Sequence, residues 1–100
     1  MQTQTAGNAP ARLFNPGKTV ATPEAFGAMS KNGVWPFDLL SRHTSGDWGD
    51  LSKEDRTANE QALKQGHRLL SAYQISGTLR VWIITECDRS ATTILLPSEY

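Results

Sequence analysis

The sequence predicts an α+β fold: a short N-terminal strand, two or three helices, and then a three-stranded antiparallel β-meander with the helices packed on one face. Two observations support this prediction. The last third of the chain contains three runs rich in β-branched and apolar residues, which are separated by short turn-forming segments. The segment from residue 22 to residue 66 contains helix-capping residues that are followed by apolar residues at helical spacing.

The chain of 100 residues has room for one domain with a single core. We assign residues 1–17 to a flexible N-terminal arm, because the arm begins with mostly polar, uncharged residues. Leu13 and Phe14 are candidates to anchor it. Residues 18–100 form the α+β domain, which begins with a strand around Thr19 and Val20, since β-branched side chains favour extended backbone.

The first two helices are predicted from their N-terminal residues. Thr22 can cap a helix whose first residue is Pro23, and Gly33 supplies a left-handed stop. A second short helix opens at Pro36. We expect Trp35 to belong to the core rather than to a binding platform, because it falls on the apolar side of this helix, which is formed by Trp35, Leu39 and Leu40.

The third helix is predicted to start after Ser52, which can cap it, and to end near Gln65, where Gly66 closes it. Its expected inward face consists mostly of small residues, which would allow close packing on a sheet. These residues are Asp55, Ala58, Ala62 and Leu63.

The meander is predicted to comprise strands at 68–75, 78–86 and 91–96, with turns at 76–77 and 87–90. Side chains alternate between the two faces of a strand, so the second strand has two distinct faces. The expected core face is Leu79, Val81 and Ile83. The opposite face mixes apolar and charged residues, which is typical of partial cover or of a surface for a partner: Arg80, Trp82, Ile84 and Glu86.

Charge and cysteine content narrow the class of protein. Ten basic and ten acidic residues give a formal net charge of zero, so the chain lacks the basic excess with which proteins hold nucleic-acid phosphates. Direct nucleic-acid binding is therefore disfavoured. A single cysteine, Cys87, fits a reducing cytoplasm. Residues 1–10 contain no signal-peptide core, and no apolar run is long enough for a membrane span. We expect a cytoplasmic protein that does not enter membranes.

One polar cluster lies where the second predicted strand of the meander ends. Glu86 and Arg89, with His67 or His43, would provide groups for acid–base cleavage of a phosphodiester. The structural interpretation, which we favour, is a turn in which Asp88 accepts backbone hydrogen bonds and Arg89 pairs with Glu86.

Metal binding is not indicated. The acidic residues at 47, 50, 54 and 55 lack the ligand spacing of a calcium loop. The scattered histidines and the cysteine give no zinc signature. We therefore expect no catalytic residue, no metal and no cofactor.

Trp48 lies in a polar loop between two glycines and two aspartates. Such a tryptophan either fills the core between helices or is offered to a partner. Core filling is favoured, and partner binding remains the alternative.

Several segments together resemble a family of small bacterial proteins carried on plasmids and integrated mobile elements, named plasmid-related proteins and sometimes labelled type I restriction modification subunits. The segments that carry the resemblance are 45–51, 59–63, 68–73, 81–86, 88–93 and 95–100. The family brings no established active site, and 100 residues cannot hold a methyltransferase domain. Cys87 stands where we expect alanine.

This resemblance implies a function in counter-defence. We expect a non-enzymatic protein that binds a host protein complex, such as a CRISPR or restriction effector, and inhibits it by protein–protein contact, as anti-CRISPR and anti-restriction proteins do. The residues expected to bind the partner are Trp48, Arg80, Trp82, Glu86, Asp88 and Arg89.

Two alternatives remain open from the sequence. The order of elements is also that of RelE-like ribosome-dependent ribonuclease toxins, although such toxins are basic and this chain is neutral. The second alternative is a homodimer with no catalytic role, formed through the mixed face of the sheet.

Overall fold

The computed structural model describes residues 11–100. In chain order, they form β1 (Lys18–Ala21), α1 (Pro23–Lys31), α2 (Pro36–Thr44), α3 (Lys53–Gln65), β2 (Leu69–Gln74), β3 (Arg80–Thr85), β4 (Ala91–Leu95) and a 3₁₀ turn (Pro97–Glu99). No helix within this range has both the length and the apolar character needed to cross a bilayer.

The predicted flexible arm falls partly within the described range. Residues 1–10 lie outside it. The following segment contacts the domain, since the Leu13 N–H donates to the Thr44 carbonyl oxygen at 2.7 Å. Phe14 packs against a core cluster that contains Trp48. The predicted anchor at Leu13 and Phe14 is confirmed.

The predicted α+β class is confirmed, but the predicted three-stranded antiparallel sheet is wrong. The sheet has four strands in the order β1-β4-β3-β2, and it is mixed, because β1 runs parallel to β4. The meander of β2, β3 and β4 is antiparallel. Contacts at the start of β1 align it with β4. The Thr92 hydroxyl donates to the Pro16 carbonyl oxygen at 2.7 Å, and the Lys18 N–H donates to the Ser90 carbonyl oxygen at 3.0 Å.

The predicted capping residues are confirmed. The Thr22 hydroxyl oxygen accepts from the Ala25 N–H at 3.1 Å, and the Ser52 hydroxyl oxygen accepts from the Asp55 N–H at 3.1 Å. Gly66 ends α3 with a left-handed φ of 74°, a conformation that costs glycine little. Local chemistry therefore sets the helix boundaries.

The main core lies between the helices and one face of the sheet. Val81 and Ile83 are fully buried there, as predicted from the alternation in β3. Leu79, which precedes β3, is half-buried. The buried members of this cluster are Ala25, Met29, Leu39, Tyr73, Val81, Ile83 and Ile94.

Trp35 is not in the core, which corrects the prediction. Its side chain is 70% exposed. The residue precedes the first turn of α2 and has extended backbone, with a ψ of 132°. Helical spacing therefore does not place it above Leu39 and His43, which are two of the three buried residues of the same helix.

The inward face of α3 also differs from the prediction. Asp55 and Ala58 are exposed, and Asn59 is buried with Ala62. The Asn59 side chain accepts from the Leu70 N–H at 3.2 Å and donates to the Leu70 carbonyl oxygen. The helix is thus rotated, relative to the prediction, so that the Asn59 amide contacts the edge of β2.

Candidate binding surfaces

Trp48 is buried, as the core-filling interpretation predicts. Its side chain is 3% exposed. The indole stacks on Phe14, with ring centroids 6.3 Å apart, and contacts the edge of His43. Its Nε1–H donates to a Glu60 carboxylate oxygen at 2.8 Å. A buried indole N–H with a charged acceptor stabilises the packing of α3 on the sheet.

Arg89 links the turn between β3 and β4 to the end of α3. Its guanidinium donates to the carbonyl oxygens of His67 at 2.6 Å, Glu86 at 3.1 Å and Ala62 at 3.2 Å. Its backbone has a positive φ of 62°. The predicted ion pair with the Glu86 carboxylate is replaced by these backbone contacts. Cations are favoured at the carbonyl end of a helix, so these contacts give Arg89 a structural role at the end of α3.

The remaining polar residues of this turn are exposed. Asp88 Oδ1 accepts from the Ser90 N–H at 2.9 Å, as the turn interpretation predicts. Hydrogen bonds from Ser90 lower the pKa of Asp88. Glu86 is exposed at the same corner.

Arg80 and Trp82 lie on the outer face of the sheet, opposite the helices. Arg80 is exposed, and its Nε–H donates to the Gln74 side-chain oxygen at 3.1 Å. Trp82 is half-buried under the Tyr100 ring, with centroids 5.7 Å apart. The Arg68 guanidinium lies 5.5 Å from the centroid of the same tyrosine ring. The C-terminal turn therefore provides the partial cover that the mixed face indicated.

The six predicted site residues do not form one surface. Trp48 and Arg89 both contact Phe14 within the domain. Arg80 and Trp82 lie on the outer face, and the acidic residues of the β3–β4 turn are exposed at its corner.

A buried polar network, which the sequence did not reveal, centres on His43. Its Nδ1 lies 2.6 Å from the Ser71 hydroxyl, and its Nε2 lies 2.8 Å from the Thr85 hydroxyl. The Thr85 and Thr92 hydroxyl oxygens are 2.8 Å apart, and Thr92 donates to Pro16. His43 and the three hydroxyl residues are all fully buried.

The last acceptor fixes the direction of this network. A carbonyl oxygen cannot donate, so Thr92 donates to Pro16, Thr85 donates to Thr92, and His43 Nε2–H donates to Thr85. In the neutral imidazole, Nδ1 then carries no proton and accepts from the Ser71 hydroxyl. Burial, with a smaller effect of the positive charge on Arg89, lowers the pKa of His43 to about 4. This lowered pKa keeps the imidazole neutral near pH 7, and its ring is fully buried.

Three large aromatic side chains on α1 and around the start of α2 are exposed. Trp35 and Phe37 are 70% and 69% exposed, and Phe26 on α1 is 52% exposed. Phe26, Val34, Trp35 and Pro36 line a groove of about 130 Å³, and Phe37 follows Pro36 in the chain. We define the aromatic surface as Phe26, Val34, Trp35, Pro36 and Phe37.

The backbone beneath the aromatic surface is held by short-range hydrogen bonds. The Met29 carbonyl oxygen accepts from the Val34 N–H at 2.9 Å. Gly33 has a φ of 68°, and Pro36 fixes its own φ and restricts the backbone of the preceding residue, Trp35. The tryptophan is thus presented on a fixed turn.

The groove has no charged lining residue. Its walls are Phe26, Ser30, Gly33, Val34, Trp35 and Pro36. Such a lining suits an apolar or aromatic side chain of a partner. The tripeptide Trp35-Pro36-Phe37 was the available sequence signal, because two aromatic residues flank a proline at a helix start, where neither has to face the core.

Within residues 11–100, no group of three or more histidine, cysteine, aspartate or glutamate side chains is arranged to hold a metal ion. A scan against protein-family models found no match, and searches of curated proteins and of solved structures found no similar protein. The resemblance to plasmid-related proteins therefore stays a prediction.

Proposed function

We propose that this protein is a non-catalytic binding protein that inhibits a nuclease complex of a host defence system by protein–protein contact. The observation that supports the binding mode is the aromatic surface, with Trp35 and Phe37 about two-thirds exposed or more. The class of target is the one that the sequence resemblance implies.

The aromatic surface has the features of an interface centre. Tryptophan is enriched among residues whose truncation costs most in binding, and large aromatic side chains dominate interface energetics. The short turn between α1 and α2 holds the Trp35 backbone in place, so little backbone freedom would be lost on binding. These features favour the aromatic surface over the residues first predicted for this role.

The ribonuclease alternative has one supporting observation. Arg89 contacts the His67 carbonyl oxygen, so an exposed histidine lies at the same corner as Glu86 and Asp88. The Arg89 guanidinium is already bonded to backbone carbonyl oxygens, and the other histidine is buried. This arrangement supports catalysis less well than the aromatic surface supports binding.

Purified restriction and CRISPR effector complexes provide the test. We expect the wild-type chain to bind one of them and to inhibit its DNA cleavage. Trp35→Ala should weaken binding by about thirtyfold, the effect of removing a central interface tryptophan. Gln61→Ala, an exposed polar substitution on α3, is the control and should bind like wild type.

Unchanged binding by Trp35→Ala and Phe37→Ala would overturn the assignment of the surface. Failure to bind or inhibit any complex of the panel would overturn the proposed target class. RNA cleavage by the wild-type chain that is lost in Glu86→Gln would replace the proposal by the ribonuclease alternative.

A further inference from the structure

The outer edge of β1 has backbone groups that face no partner within residues 11–100. Lys18 and Thr22 donate their N–H groups to β4, at the Ser90 and Ile94 carbonyl oxygens. Successive residues of a strand direct these groups to opposite sides. The N–H and C=O groups of Thr19 and Ala21 therefore point away from the sheet. We define the open edge as these four groups.

We propose that a second copy of this chain pairs antiparallel with the open edge and joins two four-stranded sheets into one. A two-fold axis through Val20 places Thr19 of one copy opposite Ala21 of the other. In this register, all the outward groups of both strands bond to one another, giving four main-chain hydrogen bonds.

The side chains fit this register. Val20 is 44% exposed and would contact Val20 of the second copy across the axis, as a closely spaced β-branched pair. Its neighbour Ala21 packs against the main core on the other face. Val20 therefore lies on the outer face of the sheet.

Charge complementarity provides independent support. The same register places Lys18 of one copy opposite Thr22 of the other. The Thr22 hydroxyl donates to Glu99 Oε1 at 2.7 Å, which fixes the carboxylate at this position. The Leu96 N–H also donates to Oε1, and within the described residues Oε2 receives no hydrogen bond. Lys18 of the second copy would bind Oε2.

This ion pair can form only between copies. Along one strand, Lys18 and Thr22 are separated by about 13 Å, four residues at the usual rise, beyond the reach of a direct contact. The Lys18 and Glu99 side chains both lie on the outer face of the sheet. Lys18 shares the face of Val20. Glu99 belongs to the C-terminal turn, which contacts β3 on the outer face, where the Tyr100 ring packs on Trp82.

The first experiment measures the mass of the full chain by sedimentation as a function of concentration. Four hydrogen bonds and a small apolar contact predict a weak dimer, with a Kd on the order of 100 µM. Thr19→Pro removes one outward N–H and should give a monomer with an unchanged circular dichroism spectrum, since proline is tolerated at a strand edge. A wild-type chain that remains monomeric at about ten times that concentration overturns the proposal.

The second experiment tests the register by mixing two charge variants. Lys18→Glu and Glu99→Lys each place like charges across both ends of the interface, and each should weaken self-association by about tenfold. Mixed together, they restore an attractive pair at each end and should form a heterodimer containing one copy of each. No gain on mixing overturns the register. Dimerisation unaffected by Thr19→Pro overturns the open edge as its site and leaves the aromatic surface as the interface between copies.

This inference is independent of the target proposed above. Loss of dimerisation in Thr19→Pro with unchanged binding to the effector complex would separate the two surfaces. A different outcome is that the effector binds only the monomer and that dimerisation competes with this binding. The open edge would then be a site for an extended segment of the target, and the proposal that the dimer is the functional form would be overturned.

Discussion

The two edges of the sheet differ in how many of their backbone groups are hydrogen-bonded by other parts of the chain. At the β2 edge, Asn59 bonds to both backbone groups of Leu70. Ala72 exchanges hydrogen bonds with Trp48 and Asp50, and the Asp50 carboxylate accepts from the Gln74 N–H at 2.8 Å. We call this the covered edge. The open edge at β1 has no comparable cover within residues 11–100.

The covered edge depends on one loop that is held from several sides. Arg42 forms an ion pair with Asp47 at 2.6 Å, and the Tyr73 hydroxyl donates to the Asp47 carbonyl oxygen at 2.7 Å. Exposed strand edges promote unwanted pairing, and native proteins commonly protect them. The contrast between the covered edge and the open edge, within residues 11–100, is what the proposed pairing of two copies through β1 predicts.

The largest expected effect concerns the covered edge. Gly49 has a φ of 78°, and a Cβ there would overlap the Ala72 carbonyl oxygen and the Tyr73 ring. We expect Gly49→Ala to lower the free energy of unfolding by about 4 kcal/mol, from backbone strain and a steric clash together. Urea denaturation measures this.

Gly66→Ala is the matched control. Gly66 has a similar φ of 74°, but a Cβ added there would meet no other atom within 4 Å, so backbone strain alone should cost about 1 kcal/mol. Equal losses in the two variants would show that close approach to β2 does not matter.

The next effect concerns the network that crosses the sheet between its two edges. His43 contacts Ser71 on β2 and Thr85 on β3, and the hydroxyl chain continues to Pro16 before β1. The pKa of His43 is lowered from 6.5 to about 4. Between these values, the unfolded chain binds a proton that the folded chain does not. Stability should therefore fall by about 3 kcal/mol as the pH decreases from about 7 to about 4.

His43→Gln is the control for this pH dependence. The variant should be less stable at neutral pH, but it lacks the titrating group, so its loss between pH 6.5 and pH 4 should be smaller than that of wild type. Denaturation midpoints measured across this range provide the comparison. Parallel losses would mean that His43 is protonated in the folded state.

A smaller effect is expected from the side chain that covers Leu70. Asn59→Ala removes a donor and an acceptor at a buried position and should cost about 2 kcal/mol. Gln61→Ala, two residues away on the exposed side of the same helix, should change stability little. If the two variants match, water replaces the amide and the edge is covered by the loop alone.

The smallest effect is expected at the open edge. Thr19→Pro should change the stability of the monomer by less than about 1 kcal/mol, because the N–H that it removes has no partner within the described part of the single chain. Thermal unfolding at a concentration well below dimerisation tests this. A large loss there would show that β1 already has a partner on its outer side.

Local features of the fold were predictable from the sequence, and long-range pairing was not. Thr22, Ser52 and Gly66 act on their own helix ends, so their residue types are sufficient. The strand that pairs with β1 could not be predicted in this way. Lys18 aligns with Ala91 in a parallel pair, and most of the domain lies between the two strands in the sequence, so no turn residues mark the pair.

The exposure of three residues differs from the sequence-based expectation for two physical reasons. Helical spacing was applied to Trp35, although the residue has extended backbone before the helix. The polar residues Asn59 and His43 were not expected inside, although each bonds to groups that only the assembled sheet brings near. For Trp48, core filling was favoured over partner binding from the sequence, and the side chain is 3% exposed.

The fixed direction of the His43 network has a measurable consequence. Its Nε2 proton is held between an imidazole and a hydroxyl that are both inaccessible to solvent. That proton can exchange with water only when the helices separate from the sheet. The exchange rate of this one imidazole proton, followed by NMR, would therefore report the rate at which the whole domain opens, without any label added to the chain.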